Sequence, residues 1–233
     1  MDKESTAAVI TGVIGIAGVL AGSLITVVQA AVGAWVKRRK EAAYLAILVV
    51  AHLDRLAASC LYVALDDGSE YGRPAGEQGE EYRATTSAPE FKPLEINVDW
   101  KVLPRDLMYA ILELPGKRER IQNRLAGIEE YASDYPDHTE WFWSRRRAYA
   151  ELGLEVSAIV KRLQDHASMP SEKQKKVDWG RDSQLQEVIE KIDQARASYE
   201  QRIAEHWANC ESKIAIGANV ETETSNATPR SDA

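Results

Sequence analysis

Charge is missing from one long stretch near the start of the 233-residue chain. Residues 7–36 contain no Asp, Glu, Lys, Arg or His. As a helix rising 1.5 Å per residue, this stretch would be about 45 Å long, whereas the hydrocarbon core of a bilayer is roughly 30 Å thick. The absence of charge therefore predicts a transmembrane helix over 7–36, preceded by a short extracytoplasmic N-terminus over 1–6.

A cleaved secretory signal peptide is the alternative interpretation of this stretch. Such a peptide has a basic n-region and an apolar core of about 7–15 residues. Here the n-region "MDKEST" has one lysine against two acids, and the apolar run is about twice too long. The sequence "VQA" at 28–30 has the form of a cleavage site, but a retained span explains more of the pattern.

Basic residues are scarce before the apolar stretch and clustered directly after it. Lys3 is the only one before it, whereas "KRRK" follows at Lys37, Arg38, Arg39 and Lys40. Positive charges beside a membrane helix stay on the cytoplasmic side and attract anionic headgroups. We therefore expect residues 37–233 in the cytoplasm, with these four side chains contacting anionic lipid. A nuclear-localisation or nucleic-acid role for KRRK is the weaker alternative.

The rest of the chain lacks the positive charge that nucleic-acid binding requires. The whole chain has a net charge of −7, and residues 1–40 have five basic and two acidic residues, so residues 41–233 have a net charge of −10. A domain this acidic repels phosphate backbones. The sequence therefore predicts no nucleic-acid partner.

Motifs for catalysis and metal binding are also missing. The two cysteines, Cys60 and Cys210, have no redox or metal spacing, and no histidine has a partner at the spacing of a metal motif. The phosphate-binding and nucleophile motifs GxxxxGK, GxGxxG and GxSxG do not occur in their structural settings. We expect no catalytic residue, no metal and no cofactor. The enzyme interpretation would revive if residues 66–103 folded over a pocket containing His52, Arg55 and nearby acids.

What is present is helical periodicity. Residues 41–65 lack Pro and Gly and are rich in Ala and Leu, which favours a helix that continues from the membrane span. A second span over 42–65 is the alternative, disfavoured by charge at its middle. Apolar residues at helical spacing also recur over 104–131, with a break or kink at Pro115-Gly116, over 138–167, and from 183 to about 210. In the last helix Tyr199, Ile203 and Trp207 are expected to face inward.

The pattern predicts an all-α protein with one transmembrane helix and a cytoplasmic antiparallel bundle of about four helices. Residues 37–65 combine the basic cluster with the first bundle helix, and 104–210 provide the rest of the bundle. Residues 66–103, rich in Gly, Pro and acids, form a long irregular loop whose acids are expected to be solvated. Residues 211–233 are polar and aperiodic and are expected to be a disordered tail.

Small and polar residues form a stripe within the predicted span. Its members recur every three or four positions, on one side of a helix: Thr11, Gly15, Gly18, Gly22, Thr26, Gln29 and Gly33. In lipid, helices associate through close backbone approach at small residues and through polar groups that bond across the interface. The stripe therefore predicts a helix-association interface, and hence a homo-oligomer or a complex with another membrane protein.

The layout resembles that of many bacterial single-pass membrane proteins, a resemblance that implies the bacterial inner membrane. The leading hypothesis is a membrane-anchored interaction or scaffold protein that self-associates through its span and presents an acidic helical domain to a protein partner. The alternative is a membrane-perturbing or channel-forming effector, in which the oligomerised span lines a pore.

Overall fold

The computed structural model describes residues 3–132, 134–169 and 180–225, and the side chains of residue 26 and of residues 28–132, 134–169 and 180–209. Of the residues that the structure describes, 77% are helical and 2% are in strands. Four helices account for this content: α1 (Lys3–Leu65), α2 (Arg105–Tyr131), α3 (Thr139–His166) and α4 (Arg181–Ser225). The predicted all-α class is confirmed.

Helix α1 is one continuous helix of 63 residues. The predicted span and the predicted first bundle helix are therefore parts of the same element, because no Pro interrupts the sequence between them. Within the described part of the chain, residues 28–65 of this helix are long and apolar enough to cross a membrane. From Ala42 onward, one face of α1 is buried: Leu45, Ala46, Val49, Leu53, Leu56, Ala57 and Cys60.

Two units divide the described chain. Unit 1 contains residues 3–60, 88–124 and 152–169, and unit 2 contains residues 61–87, 125–132, 134–151 and 180–225. In unit 1 the buried face of α1 is joined in the core by buried residues of α2 (Leu107, Ile111, Leu114) and α3 (Val156, Ile159, Leu163). In unit 2 the buried residues include Val63, Leu125, Phe142, Tyr149, Leu185 and Ile192.

Helices α1 and α2 run in the same direction through unit 1, which differs from the predicted antiparallel order. Arg162 Nη2 of α3 bonds Asp106 Oδ2 of α2 at 2.5 Å, and Lys117 of α2 pairs with Glu155 of α3, so α2 and α3 are antiparallel. The end of α3 also meets the start of the α1 segment in this unit, since Arg39 Nη2 donates to Ser168 Oγ at 3.2 Å. Both α1 and α2 are therefore antiparallel to α3.

The parallel course of α1 and α2 in unit 1 explains the length of the connection over 66–104. Because α2 runs in the same direction as α1, the connection must return along α1 before α2 can begin. Residues 89–97 of this connection lie along α1, where they share a groove with residues 44–59. The connection is irregular, as predicted, apart from a short hairpin and three single 3₁₀ turns at Glu77–Gly79, Pro93–Glu95 and Trp100–Val102.

The hairpin pairs β1 (Ser69–Glu70) with β2 (Arg73–Pro74) in antiparallel register, Ser69 opposite Pro74. Its two turn residues, Tyr71 and Gly72, both have positive φ, as a tight hairpin turn requires. Gly68, just before the hairpin, has φ +80°, and a Cβ at this position would lie 2.3 Å from Cζ of Phe142. Only glycine allows this close approach.

Two other boundaries differ from the prediction. Pro115 lies inside α2, which continues through it as one helix, so the predicted break is wrong, whereas the kink stays a prediction. Helix α4 continues to Ser225, although we predicted a disordered tail from residue 211. No Pro occurs between 211 and 225, so nothing in the backbone chemistry stops the helix at Cys210.

Candidate functional site

The segment 28–41 of α1, here called the stem, has no protein cover in the described structure. Every residue from 28 to 41 is exposed. The exposure includes large apolar side chains, with exposed fractions of 53% for Val28, 54% for Val32 and 60% for Trp35. An apolar helix that is bare on all sides loses the hydrophobic stabilisation that burial provides. The stem is therefore the part of α1 that needs a covering from outside this chain.

The described members of the predicted association stripe lie on one side of α1. Thr26, Gln29 and Gly33 are exposed, and at 100° per residue they fall within an arc of about 60°. A Cβ added to Gly33 meets nothing within 4 Å, so no described neighbour requires glycine there. The other four members, Thr11, Gly15, Gly18 and Gly22, are helical in backbone, but their side chains lie outside the described ones.

The four predicted lipid-contacting residues form an exposed basic collar, Lys37–Lys40, at the end of the stem next to the buried part of α1. Lys37 lies 3.9 Å from Glu41 one turn later. Arg39 has two partners: its guanidinium lies 5.3 Å from the ring centroid of Trp35, and it donates to Ser168. The collar is thus tied both to the stem and to the end of α3.

Trp35 was missed by the sequence interpretation. Tryptophan is enriched at membrane–water interfaces because its ring is amphipathic. A single tryptophan two residues before a basic cluster, at the end of a charge-free run, is the signal that could have identified it.

A groove of about 840 Å³ lies in unit 1 between α1 and residues 89–97 of the connection. His52 and Arg55 line it, together with Tyr44, Leu48 and the connection residues Glu90, Lys92 and Glu95. The connection therefore does fold over His52 and Arg55, the arrangement under which the enzyme interpretation would revive. Lys92 Nζ lies 3.2 Å from Oε1 of Glu90 and 3.7 Å from Oε1 of Glu95. The hydrogen bond and the charge of Glu90, with the charge of Glu95, raise the pKa of Lys92.

Among the residues that the structure describes, no group of three or more His, Cys, Asp or Glu side chains is placed to hold a metal ion. Cys60 is a buried cysteine on α1.

Unit 2 contains a buried ion pair that the sequence interpretation assigned wrongly. Asp66, which we expected to be a solvated loop charge, is buried, and its Oδ2 accepts from Nη1 of Arg145 at 2.9 Å. The same carboxylate accepts from the backbone and hydroxyl groups of Thr85 and Thr86 and from the backbone of Gly68. Arg145 also donates to the carbonyl of Thr86 at 2.6 Å. The pair therefore fixes residues 66–86 to α3.

These contacts set the protonation state of Asp66. Burial alone would raise the pKa of this carboxyl group, but the hydrogen bonds from Thr86, Arg145 and Thr85 outweigh burial and lower the pKa to about 2. The neighbouring Arg147 also forms ion pairs, with Glu151 and Asp193. Arg146 instead donates to the carbonyl of Ala64.

The second half of α4 exposes the apolar side chains that we predicted to face inward. Tyr199, Ile203 and Trp207 have exposed fractions of 47%, 40% and 65%. The physical reason is where α3 begins. Arg196 of α4 pairs with Glu140, the second residue of α3, so the part of α4 beyond Arg196 extends past the start of α3. Trp143 makes an edge-on contact with Tyr199 at 5.8 Å between ring centroids. Periodicity predicted the stripe correctly but not its exposure.

Comparison of the chain with protein-family models, curated proteins and solved structures finds no match.

Proposed function

We propose that this protein is a single-pass, membrane-anchored interaction protein. We propose that it acts by binding rather than by catalysis, because the two acids in the groove with His52 and Arg55 are paired with Lys92. The observation that carries the proposal is the bare stem, an apolar stretch of α1 exposed on all sides that ends in a basic collar. Lipid is the covering that fits this combination, because acyl chains solvate the apolar side chains and anionic headgroups attract the collar.

The order of elements supports one orientation. The collar follows the apolar run, and basic flanks stay in the cytoplasm. We therefore propose an inner-membrane protein of a bacterium, with the N-terminus outside and residues 37–233 in the cytoplasm.

Self-association through α1 is the second part of the proposal. Thr26, Gln29 and Gly33 share one exposed side of the helix, and Gly33 is open to close approach by another backbone. In the absence of a hydrophobic driving force, such small and polar side chains are what membrane helices use to associate. The partner is a second copy of the chain, which makes the protein a homo-oligomer.

A cytoplasmic protein partner is the third part. The exposed stripe Tyr199, Ile203 and Trp207 on α4 supports it, because aromatic side chains on an exposed helix face are typical of interface anchors. The acidic charge of residues 41–233 favours a partner with a basic surface.

Cross-linking in a bilayer tests the self-association. The variant Gly18→Ile with Gly22→Ile is expected to lose most of the cross-linked oligomer, because two bulky side chains would separate the helix backbones. The matched control is Gly12→Ile with Ala17→Ile, since both positions lie off the stripe, and it is expected to cross-link like the natural chain. Equal oligomer in both variants would contradict the interface.

Ion leakage from the same vesicles tests the channel-forming alternative, for which exposed Gln29 on the apolar stem is the supporting observation. An anchor leaves the vesicles tight. Leakage that Gln29→Leu abolishes would favour the pore instead.

A further inference from the structure

We propose that the connection just before α2 is a second membrane-contact surface, at which Trp100, Lys101 and Arg105 dock onto anionic lipid headgroups beside the basic collar. The inference rests on the proposed membrane anchorage and goes beyond it, since it assigns a lipid-binding role to residues about 60 positions away from the span in sequence.

The first step is the position of these residues in unit 1. Arg39 of the collar bonds Ser168, two residues beyond the end of α3. Arg162, six residues earlier, bonds Asp106 in the first turn of α2, and six helical residues span only about 9 Å. The start of α2 therefore lies at the same end of unit 1 as the collar. Trp100 and Lys101 belong to the 3₁₀ turn that immediately precedes this start.

The second step is the chemistry of this end. Lys101 and Arg105 are exposed, and Trp100 is half-buried in a turn that Asp99 closes by accepting from the Lys101 backbone N–H at 3.1 Å. Together with Lys37–Lys40 they place six basic side chains at one end of unit 1, in a chain whose net charge is −7. Three acids lie beside them: Asp106 is paired with Arg162, Glu41 lies 3.9 Å from Lys37, and Asp99 accepts from the turn backbone, so the basic side chains are in excess.

The third step is the choice of occupant. Tryptophan next to lysine and arginine is the combination found where a protein meets the headgroup layer. The same combination occurs at the collar itself, in Trp35 and Arg39, whose guanidinium lies over the indole ring. A surface that is continuous with the collar and repeats its chemistry fits the same partner, an anionic bilayer surface. Two attachment points would fix the tilt of unit 1 against the membrane.

Fluorescence quenching by lipids brominated close to the headgroup tests the proposal. The full chain is reconstituted in vesicles of phosphatidylcholine with phosphatidylserine, and the quenched fraction of tryptophan emission is compared between the natural chain, Trp100→Phe and the control Trp143→Phe. Trp143 contacts Tyr199 in unit 2 and serves as a tryptophan away from this surface. Because Trp35 and Trp100 are the two interfacial rings, Trp100→Phe should remove roughly half of the quenched emission, whereas Trp143→Phe should leave it intact.

The charge requirement is tested with Lys101→Glu and Arg105→Glu. Each reversal should weaken docking at least about fivefold in phosphatidylserine vesicles, which is the factor expected for losing one basic contact near an anionic surface. Vesicles of phosphatidylcholine alone should weaken docking of the natural chain in the same way. Circular dichroism checks that all variants keep their helix content.

The outcomes separate this proposal from the anchorage on which it rests. Quenching that survives in Trp100→Phe at its full level would overturn the second contact and leave the anchor intact, because Trp35 would still report insertion. Absence of all quenching would contradict the anchorage, and the second contact with it.

Discussion

Helix α1 contains two apolar regions that differ in their surroundings. Residues 42–65 bury one face, with Leu53, Ala46 and Val49 fully enclosed, whereas the stem over 28–41 is exposed throughout. Both regions belong to the one described segment that is apolar enough to cross a membrane. Hydropathy alone therefore does not distinguish a helix face covered by protein from a helix that needs lipid. The exposed fraction of each residue distinguishes the two.

The largest expected effect concerns the ion pair just after the buried region of α1. Arg145→Ala leaves Asp66 buried without its cation, and such a loss costs about 3–5 kcal/mol of unfolding free energy. The exposed pair of the stem is the matched control: Lys37→Ala should cost no more than about 1 kcal/mol. Urea unfolding in detergent measures both. Similar costs for the two variants would show that the two regions do not differ as described.

A core truncation is expected to have the next largest effect. Leu53 is fully buried, so Leu53→Ala should destabilise the protein by about 2–5 kcal/mol through lost burial and a cavity. Val32→Ala, on the stem, should change the unfolding free energy in detergent by less than about 0.5 kcal/mol. A stem substitution as costly as the core one would mean that the stem packs against protein.

Membrane insertion, in contrast to stability, should be more sensitive to substitutions in the stem than to substitutions over residues 42–65. Val28 lies nine residues, or about 13 Å, from Lys37, close to the middle of a bilayer. Val28→Asp should therefore weaken insertion by about 2.5–3.5 kcal/mol and make the chain extractable by alkaline carbonate. Ile47→Asp places the same charge at an equally exposed position of the buried region, 55% exposed in the natural chain, and should stay in the carbonate-resistant pellet. Equal extraction of both would contradict the boundary between the two regions.

Acid should weaken unit 2 through Asp66. The pKa of this carboxyl group is lowered from 3.8 to about 2 in the folded chain. A group with a depressed folded pKa contributes stability above its unfolded pKa and loses it as the pH falls toward the folded value. The contribution, about 2 kcal/mol at 1.36 kcal/mol per pKa unit, should therefore be present at pH 7 and disappear between about pH 4 and pH 2. Thermal unfolding of Asp66→Asn should lack this part of the pH dependence, and an identical profile would contradict it.

The sequence predicted the elements better than their arrangement. Helix content, the continuity of α1 and the irregular connection follow from local patterns such as the charge-free run and the Gly- and Pro-rich stretch. The parallel course of α1 and α2 does not follow from local patterns, because the direction of α2 depends on the place to which the 66–104 connection returns. The burial of Asp66 was missed for the same reason. Its partners Thr85, Thr86 and Arg145 are 19 to 79 positions away in sequence.

The predicted site residues stay a prediction. Thr26, Gln29, Gly33 and the collar are exposed as an interface requires, and their partners are still a prediction. The prediction that Tyr199, Ile203 and Trp207 face inward is wrong, because a helical stripe indicates an apolar face without indicating what covers it. The covering depended on where α3 begins, because Trp143, near its first turn, contacts the first member of the stripe, Tyr199.

Cysteine accessibility along α1 tests the central claim most directly. The chain with Cys210→Ser is reconstituted in vesicles, and Val32→Cys and Ile47→Cys are each exposed to a membrane-impermeant maleimide, while buried Cys60 provides the background. We predict that the cysteine at 47 is labelled in molecules whose domain faces the reagent, and that the cysteine at 32 is labelled only after detergent is added. Labelling of both at the same rate in intact vesicles would show that the stem lies in water, and would contradict the account.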